Sequence, residues 1–464
     1  MLELNLEAFG DRPLALDDGK GQLDAPTLER CFDAFRTHIP ERSLILLLAE
    51  NSVGCLAGYL SSIQQRIVPL MVGVSTDKGF LEGLRERYRP AFVWLPEASA
   101  GEMEGHPIFA AMGYCLKRLP VESPPLHGDL SLLLPTSGST GSPKLVRHTY
   151  TNLSSSARNV AAFFELSAEE RPVAALPMYF TMGLSVVASH LYAGATVLLS
   201  RATLTEAGFW AFLKEEQATS FTGVPYSYEL LHRLRFTRMD LPHLRVLSQG
   251  GGKLRPELFS AFAQYAHESG RRFFATYGQT EGTARMGYLP PAEATVRIGS
   301  IGRAIPGGRF SLEDEEGREI TDPTGRGELV YRGPNVTMGY AFSAEDLAKG
   351  DEWGGILRTG DIAERDADGF HYIVGRKNRF LKLYGLRISL DEIEHIVKRA
   401  FPTECVAGGD DTQLRILLDQ PDLAAAVKAH VVEKTGLFHG AVTVSAVEAF
   451  KRNEAGKLIL PQGV

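Results

Sequence analysis

Residues 135–144 read Pro135-Thr136-Ser137-Gly138-Ser139-Thr140-Gly141-Ser142-Pro143-Lys144. Glycines let backbone N–H groups turn toward an anion, hydroxyls add donors, and a lysine adds a mobile positive charge. That chemistry suits a polyphosphate. Lys144 follows a proline and precedes Leu145, so the order differs from the Walker loop, G-x-x-x-x-G-K followed by Ser or Thr. A flexible Ser/Gly linker has a similar composition. The apolar Leu132-Leu133-Leu134 before the loop, which reads as a buried strand, and Leu145-Val146 after it favour the phosphate reading.

Other chemistry-bearing groups follow in short segments. They are Tyr277-Gly278-Gln279-Thr280-Glu281, Leu357-Arg358-Thr359-Gly360-Asp361, Gly375-Arg376, Leu381-Lys382, Gly385-Leu386-Arg387-Ile388 and Asn453-Glu454-Ala455-Gly456-Lys457. Each has an ordinary reading. Tyr277 could be a core aromatic, Glu281 and Asp361 solvated acids, and Lys457 a solvated tail lysine.

Taken together and in order, these segments resemble the adenylate-forming enzymes: acyl-CoA synthetases, luciferases and the adenylation domains of peptide synthetases. Gly10-Asp11-Arg12-Pro13 and Leu46 to Asn51 fit the same pattern, so the resemblance runs along essentially the whole chain. It implies ATP-dependent activation of a carboxylic acid to an acyl adenylate, with release of pyrophosphate. Transfer of the acyl group to the thiol of CoA or of a phosphopantetheine arm would follow. Two anions must meet in the first step, so cations and N–H donors have to face the developing charge.

The resemblance implies a role for each position. Thr136, Ser137, Gly138, Ser139, Thr140, Gly141 and Lys144 would hold the β- and γ-phosphates, and Thr280 the α-phosphate. Glu281 would bind Mg²⁺, a hard cation that takes oxygen ligands. Tyr277 and Gly278 would carry adenine, against a wall free of side chains at Gly250, Gly251 and Gly252. Asp361 would accept the ribose hydroxyls, with Ile373, Arg376 and Lys382 completing the nucleotide site. Lys457 would bridge the acid and the α-phosphate. Asn378 falls at the hinge, where Asp or Lys is usual, and Gly385 at the thiol tunnel. Lys451 stands where proline is usual, and Asn453 where threonine is common.

The acid pocket would be lined by Tyr179, Phe180, Gly183, Val224, Gln249, Gly250, Gly282 and Met286. Amino-acid-activating domains place an Asp at the position of Gly183 to pair with the α-ammonium. A buried ammonium without that partner is costly, so a small acid with a neutral α-carbon is expected. Arg285 could pair with a second acidic group or form a structural ion pair. Three alternatives stand beside the acid–thiol ligase. They are an amide-forming adenylating ligase, a stand-alone amino-acid-activating adenylation enzyme, and a nucleotide-binding regulator that has lost catalysis.

The elements that must position these residues alternate. Ser43 to Leu48, Ile67 to Met71, Val173 to Leu176, Thr196 to Leu199 and Leu244 to Leu247 read as strands, with helical patterns such as Val53 to Gln65 between them. This predicts an α/β fold with mainly parallel sheets in a large N-terminal domain of several subdomains, residues 1–377. A small mobile α+β domain, residues 378–464, would carry the catalytic lysine. Ligands belong at loops beyond the strand ends.

At 464 residues the chain exceeds one core, and 44% hydrophobic with 23% charged is ordinary globular composition. A net charge of -7 and pI near 6.0 argue against nucleic acid as a partner. The first residues lack a signal-peptide layout, and the apolar runs are too short to span a bilayer. The four scattered cysteines suit a reducing cytoplasm. No carrier-protein or condensation domain flanks the motifs. A stand-alone enzyme is therefore expected, using free CoA or a separate acyl carrier protein.

Overall fold

The computed structural model describes residues 4–135, 144–377, 379–383, 386–410, 412–435, 437–452 and 458. The chain divides into two compact units. The larger comprises Met1–Arg309 and Tyr331–Leu357, the smaller Phe310–Val330 and Arg358–Val464.

Two sheets organise the larger unit. One has eight strands. Its centre, Leu44–Ala49 between Val68–Gly73 and Phe92–Pro96, is parallel. Leu44–Ala49 is buried along its whole length, which a helix-covered parallel strand requires, and its run of leucines supplies that. The other sheet has nine strands. Five of its pairings, from Ala15–Asp17 through Val197–Leu199, Pro172–Ala174, Ser220–Gly223 and Val246–Gln249 to Arg272–Tyr277, are parallel. Antiparallel strands close the edges of both sheets. The α/β expectation therefore holds, with parallel centres.

The strand before residues 136–143 is Leu130–Pro135, as expected. It pairs antiparallel with Leu145–Thr149, so the Ser/Gly segment joins the arms of a hairpin rather than a strand to a helix. Periodicity identifies the strands and leaves their direction open. The helix Tyr150–Phe164 follows at once. Its start is fixed by a capping box: Asn152 N donates to Thr149 Oγ1 at 3.0 Å, and Thr149 N to Asn152 Oδ1 at 2.8 Å.

Close packing under the eight-stranded sheet depends on small residues. The helix Val53–Gln64 is buried on nearly every face. A Cβ on Gly58 would lie 2.2 Å from Trp94 Cδ1, so only glycine lets the helix lie against the indole. Asn51, buried just beyond the central strand, ties the two sheets together. Its Nδ2 donates to the carbonyls of Ala174, Leu176 and Ser200 at 2.8, 3.1 and 3.2 Å, and its Oδ1 accepts from Met178 N at 3.0 Å.

The smaller unit holds most of a four-stranded sheet, Arg309–Glu313, Gly325–Arg332, Ile356–Arg365 and His371–Arg376. Beyond it come the hairpin Phe380–Leu383 with Leu386–Ser389, the helices Leu390–Ala400 and Ala424–Thr435, and a three-stranded sheet. These last elements share a core around Ile393, Val397, Ile416 and Val427. The contacts do not divide the chain at 377/378, because the four-stranded sheet groups with the C-terminal elements. The helix Leu390–Ala400 packs on the strand His371–Arg376, which draws the two together.

Replacing Asn51 with alanine strands the Leu176 and Ser200 carbonyls and the Met178 N–H, while the Ala174 carbonyl keeps Ser200 N. Urea unfolding should show a loss of about 3 kcal/mol with an unchanged m-value.

Candidate active site

In the larger unit, the segment Tyr277 to Met286 folds into a tight turn. A Cβ on Gly278 would stand 1.6 Å from the carbonyl oxygen of Ala284, so glycine is obligatory there. Thr283 and Ala284 both take positive φ, 49° and 75°, a conformation that costs non-glycine residues about 1–3 kcal/mol each. A buried polar network holds it. Asn335 Nδ2 donates to the carbonyls of Gly282 and Arg285 at 2.7 and 3.1 Å, and Tyr331 OH donates to Asn335 Oδ1 at 2.7 Å. Ser156 Oγ donates to the Thr283 carbonyl at 2.9 Å, and Thr337 N to the Glu281 carbonyl at 3.0 Å.

This turn presents Thr280 and Glu281. Thr280 Oγ1 lies 3.5 Å from Thr181 Oγ1, at the start of the helix Thr181–Tyr192. Glu281 Oε1 accepts a 2.6 Å hydrogen bond from Tyr340 OH. The same tyrosine ring lies 3.9 Å below Lys144 Nζ. Strand pairing explains the juxtaposition, since Tyr340 stands opposite Val146 and Ala341 opposite Leu145. A lysine and a glutamate of opposite charge are thus both engaged by one aromatic side chain. Burial and the neighbouring Glu281 push the Tyr340 hydroxyl pKa upward, so it stays a proton donor. Sequence reasoning missed Tyr340 and Asn335. The signal available was the run Gly333-Pro334-Asn335 to Gly339-Tyr340, which has the glycine and polar content of a functional loop.

Gly250, Gly251 and Gly252 follow the strand Val246–Gln249, and Gln249 Nε2 donates to the Gly252 carbonyl at 2.7 Å. A Cβ on Gly250 would meet Met182 Cε and Thr276 Oγ1, each at 2.5 Å. Gly251 has φ +77°. Tyr277 ends the strand Arg272–Tyr277. Of the residues expected from the sequence to line an acid pocket, Gly282 lies against Met286, and the Tyr179 and Phe180 rings are 4.6 Å apart. Tyr179 also packs on Gly73, while Val224, Gln249 and Met286 are buried. Gly183 has a packing cause. A Cβ there would lie 2.3 Å from the Pro177 carbonyl oxygen, so the missing carboxylate at 183 follows from the backbone and does not report on the acid.

In the smaller unit, Asp361 and Arg376 stand opposite each other on paired strands and form an ion pair at 3.1 Å, with Asp361 buried. Ile373 lies on the same strand as Arg376. Asn378 is outside the described residues, but its neighbours are both anchored. Lys377 Nζ pairs with Glu328 at 2.6 Å, and Arg379 pairs with Asp391 and, at 2.5 Å, with Glu394 of the helix Leu390–Ala400. Lys382 lies on the strand Phe380–Leu383 opposite Arg387. Thr136, Ser137, Gly138, Ser139, Thr140, Gly141, Gly385 and Lys457 also fall outside the described residues.

Beneath the turn, His148 is fully buried. Thr283 donates its only hydroxyl proton to the Asn335 carbonyl at 2.7 Å, so His148 Nδ1, 3.3 Å from Thr283 Oγ1, must be the donor between them. Nε2 is then a bare acceptor with no partner among the described residues. Burial pushes the His148 pKa down to about 3 and that of His190, also buried, to about 4.

A model of the AMP-binding enzyme family matches residues 50–341. Oxalate–CoA ligase from Arabidopsis thaliana is 33% identical over 274 residues, covering 58% of this chain and 52% of that protein. Indoleacetate–CoA ligase from Aromatoleum aromaticum is 32% identical over 270 residues, covering 57% of this chain and 51% of that protein. The chain spans about half the length of these curated relatives. O-succinylbenzoate coenzyme A synthetase from Bacillus subtilis, solved in complex with AMP, superposes with a TM-score of 0.78 over 98% of this chain and 97% of its own, at 19% identity. That last likeness is one of fold.

The two buried histidines set an acid limit on stability. Neutral in the folded chain down to about pH 4, they take up protons when unfolded from about pH 6.5. The unfolded state therefore binds more protons below that pH, and stability falls as pH falls, by up to ~1.4 kcal/mol per unit for each histidine. Urea unfolding at pH 5 and pH 7 should show this loss. His148→Asn, which keeps an N–H donor near Thr283, should flatten the slope.

Proposed function

This chain belongs to the AMP-binding enzyme family, and from that premise we propose that it is an acid–thiol ligase. It would activate a carboxylic acid with ATP to an acyl adenylate and pass the acyl group to CoA or to the phosphopantetheine of a separate carrier protein. The observation that carries this is the grouping of Lys144, Tyr340 and Glu281 in the larger unit. A mobile cation suited to phosphate oxygens and a hard carboxylate suited to a metal ion are both engaged by one side chain. Separate tethers on one ring keep the pair available to a ligand.

Mg²⁺ fits the donor set. Among the described residues no cluster of three or more His, Cys, Asp or Glu could hold a metal alone. Mg²⁺ commonly takes one or two carboxylates and fills its other positions with phosphate oxygens and water. Glu281 would hold it, and when bound it would neutralise phosphate charge. Lys144, with residues 136–141, would grip the β- and γ-phosphates, and the Thr280 hydroxyl would donate to the α-phosphate. Tyr277 would stack on adenine beside Gly251 and Gly252. Asp361 would accept ribose hydroxyls and Arg376 would orient it, consistent with their ion pair. Lys457 would bring the acid and the α-phosphate together by neutralising both.

Residues 378–464 would act as a mobile body turning at Asn378. Ion pairs flank that position, Lys377 with Glu328 on one side and Arg379 with Asp391 and Glu394 on the other. Gly385 would open the path for the thiol. We place the reaction in the cytoplasm. All four cysteines are free and buried, which suits a reducing compartment. Among the described residues no helix is long and apolar enough to cross a membrane.

Pyrophosphate exchange with a panel of acids tests the reading, with CoA, a carrier protein and amines then offered as acceptors. Exchange with at least one acid and a thioester product are expected; ATP binding without exchange would sink the assignment. Lys457→Ala should lower adenylation by at least about 100-fold while leaving thiol transfer from a supplied acyl adenylate largely intact. Tyr340→Phe removes one hydrogen bond from Glu281. It should raise the KM for MgATP by about tenfold with little change in Tm, as a lost hydrogen bond to a charged group predicts.

A further inference from the structure

Arg285 is 1% exposed and makes no productive polar contact through two of its nitrogens. Nε and Nη1 have no acceptor among the described residues. Its guanidinium carbon sits 4.8 Å from the Phe164 ring centroid. A cation–π contact recovers only part of what desolvation costs. Burial alone pushes its pKa down to about 9, and no neighbouring carboxylate offsets that. Glu170, the acid whose charge reaches the adjacent His190, is already bound by Thr219 and, at 3.0 Å, by Arg245. His190 gives no counter-charge, since Nδ1 lies 2.8 Å from the Val186 carbonyl and the ring stays neutral.

The surroundings tell where this cation lies. Phe164 packs on Phe274 with ring centroids 4.5 Å apart, and Phe274 is the strand partner of Ser248. Ser248 Oγ is buried and also lacks a partner among the described residues. Two residues along the same strand direction is Gly250, whose missing Cβ would touch Met182 and Thr276. Alternate residues share a face. Ser248, Phe274, Gly250 and Thr276 therefore line one side of the sheet, the side turned to the helix bearing Met182. Arg285 is thus joined, through Phe164 and Phe274, to the strand that carries Ser248 and, two residues on, Gly250.

We propose that Arg285 and Ser248 form the floor of the acid pocket and bind a second carboxylate, so that the preferred substrate is a dicarboxylic acid activated at one end and held at the other. The inference rests on the adenylating reading above. A carboxylate can take two guanidinium N–H donors at once, and a hydroxyl gives a third bond. The ligand would supply the counter-charge that the described residues withhold.

Pyrophosphate exchange with malonate, succinate, glutarate and phthalate, each against its monomethyl ester, tests this. At least one diacid should exceed its ester in kcat/KM by about 100-fold or more, as expected when an ester leaves a buried cation unpaired. Arg285→Met should cut that ratio below about tenfold by slowing the diacid and not the ester. Ser248→Ala should reduce it to a lesser degree. If Arg285→Met fails to fold, the wild-type ratio with Ser248→Ala decides. Exchange that is equal for diacid and ester, or confined to monocarboxylic acids, overturns the inference and leaves the adenylation reading intact. No exchange with any acid overturns both.

Discussion

The amide of Asn51 is the joint on which the larger unit depends. Four hydrogen bonds from one buried side chain reach the ends of strands in the nine-stranded sheet, while its backbone continues the central strand of the eight-stranded sheet. Lys144 belongs to the eight-stranded sheet's hairpin, whereas Thr280 and Glu281 follow a strand of the other sheet. Without a fixed relation between the sheets, those side chains have no defined separation. Asp17 reinforces the joint by accepting from Val53 N at 3.1 Å. Buried amides of this kind favour one arrangement of layers over neighbouring ones, because any slip leaves polar groups unpaired.

A second constraint is local. The turn after Glu281 holds two strained residues in sequence, and the backbone cannot relax because Gly278 and Ala284 touch. Asn335, Tyr331, Ser156 and His148 converge on it from three separate segments. Strain and polar burial thus meet where Thr280 and Glu281 must be aimed, so the cost of the conformation is offset by the network that positions them.

Much of this was legible in the sequence. The leucine-rich strands and the strand before the Ser/Gly segment fall where apolar runs place them. So does the α/β class, since burial imposes a pattern on single segments. The nucleotide-type positions Asp361 and Arg376 prove to be cross-strand partners, although residues fifteen apart give no hint of contact by themselves. Strand direction around residues 136–143 was not legible, because hairpin and crossover leave the same apolar pattern. Nor was the division of the small sheet from the large unit, which depends on long-range contacts. Tyr340 was missed because its partners, Lys144 and Glu281, are distant in sequence. Arg285 was noticed, but whether it had a counter-ion could only be read in three dimensions.

Gly183 carries a lesson for altering specificity. Its Cβ position is filled by the Pro177 carbonyl, so the site is closed to every other amino acid while this backbone stands. A selector carboxylate cannot be installed there by one substitution, however favourable its chemistry. The neighbouring turn from Leu176 to Phe180 would have to move first. Under the adenylating reading proposed above, routes to new acids would run through other positions, and position 183 stays closed until the loop before it is rebuilt.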